Sequence, residues 1–263
     1  MSAPRVFDGK QYDSYNTARE TMVRKVLPVL IGQLSLRTGL DAGCGLGHFS
    51  AFLNSLGFTV TGIDGRKENV EEAVRRVPNA TFHTRDIEDP KLSDIGQFDL
   101  VLCFGLLYHL ENPFRAIRNL HSLTDKVLLV ESMCAPGVDA SMELLDEYQK
   151  EDQGLTYVAF YPTEACLVKM LYRAGFPFVY GFVNPPDHAD FQSTKGRKRA
   201  RTMLVASNVR LDVAGLVALP EPARPWDIWA APTLSWRTRL RRLANIVRSP
   251  GTKRPQDNQD AAK

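Results

Sequence analysis

The sequence predicts a doubly wound α/β protein: a mostly parallel seven-stranded sheet with helices on both faces and a C-terminal antiparallel hairpin. Three observations carry this. From Leu36 onward, short apolar runs alternate with helical patterns, the rhythm of parallel strands buried on both faces. A turn with three glycines at alternate positions, Gly43, Gly45 and Gly47, joins the first strand to the helix after it. The last two apolar runs have no helical pattern between them, so they pair antiparallel.

The elements follow in order. Residues 1–35 read as an N-terminal helical cap, with a helix from about Ser14 to Ile31. Its apolar stripe is Val23, Val26, Leu27, Leu30 and Ile31. Pro28 is expected to end or kink it. Leu36 to Asp41 is the first strand. The helix from Gly47 to Leu56 carries Phe49, Phe52 and Leu53 on one face and stops at Gly57. The second strand runs from Phe58 to Asp64, and the helix from Lys67 to Val77 stops at Pro78. Thr81–Thr84 and Phe98–Phe104 are the third and fourth strands. A helix follows Pro113, and Lys126–Glu131 is the fifth strand. A helix over Thr163–Ala174 precedes the closing strands, Phe178–Val183 and Thr202–Val209. These elements bound a main domain of residues 36–209.

Residues 134–160 are an insertion after the fifth strand. Met142, Leu144, Leu145 and Tyr148 predict a short helix there, and Tyr157, Phe160 and Tyr161 an aromatic cluster. Loops at the carboxyl ends of parallel strands bind ligands, so this insertion is expected to be a substrate lid. Residues 210–263 form a third region. A proline- and tryptophan-rich stretch, 218–232, is followed by Trp236, Leu240, Leu243 and Val247 at helical spacing among five arginines. That is a basic amphipathic helix, able to lie on an anionic membrane through residues 235–248 or to dock on the protein itself. The remaining tail is polar and is expected to be disordered.

A net charge of +3 over 263 residues is too balanced to argue for nucleic acid by itself. No apolar run approaches the roughly 18 residues of a membrane span. Met1–Arg5 lack the apolar core of a secretory signal. Cys44, Cys103, Cys134 and Cys166 have no metal-ligand spacing, and no metal is expected. Together these predict a cytoplasmic protein with reduced thiols.

The chemistry centres on Leu40–Ser50. Glycines remove side chains where the backbone must turn tightly or approach a ligand. The free N–H groups of the following helix favour oxygen-rich ligands. Asp41 ends the first strand, and Asp64 ends the second about 20 residues on, a spacing suited to gripping ribose hydroxyls. Asp-x-Gly-x-Gly-x-Gly followed by that acid resembles the class I S-adenosylmethionine (SAM)-dependent methyltransferases, and the resemblance spans residues 36–209. The dinucleotide fingerprint would need a glycine where His48 stands.

The resemblance implies S-adenosyl-L-methionine as cofactor. It places Asp41, Gly43, Cys44, Gly45 and Gly47 at the cofactor, with Asp64 and Gly65 at the ribose. Asp86 and Ile87 would grip the adenine, and Phe104 would close the fourth strand tip. In similar proteins a segment before the first strand covers the cofactor, and Tyr12, Tyr15 and Arg19 are available for it. Phe104–Pro113 would face the reactive methyl group. His109 is the residue type suited to removing a proton from the acceptor, with Tyr108 and Glu131 as further candidates.

The acceptor expected is a small molecule or carbohydrate-type metabolite. The Leu-Tyr-His run at 107–109 is also similar to tRNA wobble-uridine carboxymethyltransferases, whose carboxy-SAM needs further basic and tyrosine contacts. The basic run Lys195–Arg201 could bind RNA, although a solvated hairpin tip is the commoner use of such a run. A third alternative is a catalytically silent scaffold that binds a partner through its basic tail.

Overall fold

Leu100–Cys103 and Val127–Val130 are completely buried, which requires cover on both faces of the sheet they form. The structure, a computed structural model, describes residues 6–150, 152–196 and 198–223. Its helices are α1 (Lys10–Leu34), α2 (His48–Ser55), α3 (Lys67–Arg76), α4 (Pro113–Leu123) and α5 (Glu164–Ala174). Its strands are β1 (Thr38–Ala42), β2 (Thr59–Asp64), β3 (Thr81–Thr84), β4 (Phe98–Phe104) and β5 (Thr124–Met133). Then follow β6 (Met142–Asp146), β7 (Val158–Pro162), β8 (Phe178–Phe182), β9 (Arg201–Ser207) and β10 (Leu216–Ala218).

The main sheet runs β10-β8-β9-β5-β4-β1-β2-β3. β1 pairs in parallel with β2 on one side and β4 on the other. The chain therefore winds outward from β1 in both directions. The carboxyl ends of β1 and β4 flank the crevice where such sheets bind ligands. β9 runs antiparallel to both β5 and β8, closing the sheet with the reversed hairpin.

Strand side chains alternate between two apolar layers. Val101, Cys103, Leu128 and Val130 pack with Ile117 and Leu120 of α4 and Leu167 and Leu171 of α5. Leu100, Leu102, Val127 and Leu129 pack with Met22 and Val26 of α1 and Phe52 and Leu53 of α2.

Four features differ from expectation. The sheet has eight strands, because Leu216–Ala218 adds an edge strand beside β8. Three residues carry too little pattern to be read as a strand; the exposed edge of β8 makes them one. The second difference is in the insertion, where Met142–Asp146 is a strand paired with β7. Every residue of β6 is exposed, so a helix there would have no core to bury a stripe against. A helix of that length is unstable alone, whereas the ladder to β7 satisfies the backbone. The third is α1, which runs through Pro28 to Leu34. Pro28 is exposed, so the carbonyl that loses its helical partner can face water. Last, the basic run does not lie wholly on a solvated hairpin tip: Arg199 pairs with Glu164, and Arg201 begins β9 as a buried residue. The amphipathic segment 235–248 lies outside the described residues.

Candidate active site

The β1–α2 turn is shaped by backbone hydrogen bonds to β2. The Gly43 and Cys44 N–H groups donate to the Ile63 carbonyl at 2.8 and 2.9 Å. Gly43 has φ +78°, and a Cβ there would come within 2.9 Å of the Leu106 side chain. Gly45 has φ +51°, and a Cβ there would meet only Phe7, at 3.8 Å. That is ordinary van der Waals contact, with no backbone atom in the way.

Asp64 locks the turn to the second strand tip. Its Oδ2 accepts the Gly45 N–H at 3.0 Å, and its Oδ1 accepts the Arg66 N–H at 2.9 Å and the Asn69 side chain at 3.1 Å. Burial lifts its carboxyl above the ordinary range, against the pull of those bonds. Three of about four acceptor sites are filled, leaving one for a ligand hydroxyl. Asp41 is more deeply placed, 4% exposed, with the Ser50 hydroxyl donating to it at 2.7 Å. Burial pushes its carboxyl up to about 6. Burial also raises the Cys44 thiol.

A cavity of about 550 Å³ opens above these strand tips. Gly43, Cys44, Gly45, Gly47, Asp64, Gly65, Asp86, Ile87, Phe104, Tyr108 and His109 all line it. Asp41 sits behind the wall rather than in it. Asp86 is exposed and accepts the Glu88 N–H, while Ile87 beside it is buried. The ring of Phe104 packs edge-on against Phe49, with centroids 4.8 Å apart. His48 also reaches the rim, but its Nε2 is 2.9 Å from Glu20. His83, on β3, is exposed and is not part of the wall.

Tyr12, Tyr15 and Arg19 of α1 also line that wall. Residues 152–155 of the insertion also line the cavity. Tyr12 donates to Asp152 at 2.9 Å, and Arg66 donates to the Gln153 carbonyl at 2.9 Å. Leu155 lies against Gly65, where a Cβ would come within 2.9 Å of it.

Arg19 and Arg201, which line the cavity, share a buried acid. Glu131, at the end of β5, is fully buried, with Arg19 and Arg201 bound to its two oxygens at 2.6 and 2.9 Å. Burial alone would raise its carboxyl, but the two guanidinium groups hold it below the ordinary range. Glu131 is therefore an ion-pair partner rather than a free base. Arg201 donates to the Tyr108 hydroxyl at 3.3 Å and stacks over the Tyr15 ring at 4.4 Å. Its Nε has no protein partner although it is buried, and the same holds for Asp152 Oδ1. His109 Nδ1 lies 2.5 Å from Glu147, just beyond β6.

Arg201, Glu147 and Asp152 escaped the sequence reading. Arg201 sat inside a basic run that looked solvated. The two acids meet their partners His109 and Tyr12 across 38 and 140 residues of chain. The nearest usable signal was the strand pattern that starts beside Arg201.

Residues 40–126 match the family model described as a methyltransferase domain. The tRNA U34 carboxymethyltransferase of Actinobacillus succinogenes is 32% identical over 163 residues, covering 58% of this chain and 49% of that protein. The ubiquinone biosynthesis O-methyltransferase of Vibrio parahaemolyticus is 34% identical over 88 residues, 32% of this chain and 37% of that one. The matches thus span half or less of these relatives. The magnesium protoporphyrin IX methyltransferase of Synechocystis, solved with bound SAM, shares the fold at TM-score 0.53 and 23% identity, covering 80% of this chain and 86% of that one. The N-terminal domain of EvdMO1, solved with SAH and D-fucose present, does so at TM-score 0.58 and 20% identity, covering 76% and 84%.

Fold, glycine turn and strand-tip acids define the class I SAM-dependent methyltransferases. Residues 40–126 match the methyltransferase domain, and the chain has the fold of that class. Among the described residues, no helix is long and apolar enough to cross a membrane.

Proposed function

We propose that this chain is a methyltransferase that uses S-adenosyl-L-methionine and a small-molecule or carbohydrate-type acceptor. The observation that carries the reading is convergence. The Gly43–Gly47 turn, Asp64 and the Tyr108–His109 tip of β4 reach one cavity from three separate strand ends. The cavity fits the cofactor: Gly45 lines it without a side chain, Asp64 keeps one acceptor site, and Ile87 offers an apolar surface to a ring.

Bound there, SAM supplies a methyl group on a cationic sulfur, a leaving group that makes positioning the main requirement. Asp64 would hold the ribose hydroxyls, and Asp86 and Ile87 the adenine. His109 would take the proton of an acceptor hydroxyl or activated carbon. The test is titration of the full chain with SAM by calorimetry, then transfer of labelled methyl into cell extract with and without nuclease. A labelled small molecule that survives nuclease supports the reading. Absence of binding at millimolar SAM would favour a silent scaffold.

A second reading, carboxymethyl transfer, is favoured by one observation. It requires basic and tyrosine contacts for an extra carboxylate, and Arg201, Arg19 and Tyr108 meet on the cavity wall. The same titration with carboxy-SAM decides. Tighter binding of carboxy-SAM than SAM, lost in Arg201→Met, supports carboxymethyl transfer and overturns plain methyl transfer.

A further inference from the structure

The insertion after β5 does more than wall the cavity. It delivers one buried carboxylate to one imidazole. Glu147 Oε1 lies 2.5 Å from His109 Nδ1, and the two side chains are 6% and 14% exposed. The other oxygen of Glu147 accepts the Gly154 N–H at 2.9 Å, so its own loop fixes the carboxylate plane. The backbone is fitted to the same contact. A Cβ at residue 154 would collide with the His109 carbonyl oxygen, so only glycine permits this approach. Across the hairpin, Tyr161 packs edge-on against Tyr108, with centroids 5.7 Å apart, and keeps β7 against the 107–109 turn.

We propose that Glu147 is the positioning residue for His109: it fixes the neutral imidazole as the Nδ1–H form and leaves Nε2 as the proton acceptor. An ionised carboxylate can only accept hydrogen bonds, so the shared proton of a neutral imidazole must sit on Nδ1. Nε2 then carries the lone pair. The consequence for catalysis rests on the reading of His109 as the base. The base is correctly set only while the insertion is closed on the 107–109 turn, so lid and proton acceptor act as one unit.

The substitution Glu147→Gln separates charge from shape. Gly154 N–H requires an acceptor, which holds the glutamine oxygen on that side. The amide NH₂ is then turned toward His109 and donates to Nδ1, forcing the proton onto Nε2. Volume is unchanged, while the tautomer reverses, as when the orienting acid of a catalytic triad becomes its amide.

The experiment is ¹H–¹⁵N NMR of the full chain labelled in histidine, at about pH 8.5, some two units above an ordinary imidazole pKa. The His109 signals are assigned by their loss in His109→Asn. The wild-type chain should show the Nδ1–H form, and Glu147→Gln the Nε2–H form. An Nε2–H signal in the wild type, or an unchanged tautomer in Glu147→Gln, would overturn the proposal. The wild-type spectrum decides alone if the variant does not fold. Once an acceptor is in hand, Glu147→Gln should lower turnover at least about tenfold, with SAM affinity within about twofold. A reversed tautomer with full turnover in His109→Ala would overturn the base reading and leave the positioning of His109 standing.

Discussion

The Asp64 carboxylate accepts the Gly45 backbone N–H at 3.0 Å, joining the glycine turn and the second strand tip into one rigid corner. The acid is thus both a candidate ribose ligand and a brace for the turn. Asp64→Ala should lower SAM affinity at least about tenfold, the loss of one or more charge-assisted bonds worth roughly 1.5–3 kcal/mol. Asp64→Asn should lose less, since its oxygen can still accept from Gly45. Calorimetric titration of both variants, with circular dichroism as the fold control, checks this. Wild-type affinity in a folded Asp64→Ala chain would remove the residue from the site.

Gly45 lines the cavity, and an added Cβ would already touch Phe7 at 3.8 Å. Gly45→Val places a branched side chain in that space and strains a left-handed backbone by about 1–2 kcal/mol. SAM binding should vanish while the far-ultraviolet spectrum stays near wild type. Methyl transfer at the normal rate by this variant would exclude the turn as the cofactor cradle.

Asp41 titrates where stability can report it. Its folded carboxyl is lifted to about 6 by burial. The ordinary value is near 3.9. The folded state thus binds the proton more tightly than the unfolded state. That contribution is full below about pH 4 and is lost as pH rises through about 6, on the order of 2–3 kcal/mol in all. Asp41→Asn keeps an acceptor for the Ser50 hydroxyl and cannot ionise. Denaturation curves from pH 4 to 8 should show the variant gaining on wild type across that window. Parallel curves would mean that Asp41 does not carry the dependence.

Glu131 holds two arginines in a fully buried position. Glu131→Gln leaves both guanidinium groups on a neutral amide. It should cost on the order of 3–5 kcal/mol, the penalty for breaking a buried ion pair on one side. Chemical denaturation measures it directly. A loss below about 1 kcal/mol would show that water already reaches this cluster.

The basic stretch at 235–248 predicts salt-sensitive binding to anionic vesicles. A chain ending at Ala223 keeps the Tyr172 hydrogen bond to Leu219 and should lose that binding while retaining SAM affinity. Equal sedimentation of the two chains with vesicles would end the membrane reading.

Much of this protein was legible from sequence. Period and punctuation placed the strands that became β1 to β5, β8 and β9, because each is an apolar run bounded by turn residues. The glycine turn with Asp64 and the Tyr108–His109 tip could be read because their positions follow from strand ends alone. Three things needed the folded chain. Met142–Asp146 has a helix-like spacing, and only its pairing with Val158–Pro162 makes it a strand. Glu147 meets His109 across 38 residues, and Arg201 meets Glu131 across 70, distances at which no local pattern records a contact. Local sequence determines which backbone shape each segment prefers. Which charged side chains share a buried wall depends on how the strands are ordered, and that order is fixed only when the whole sheet closes.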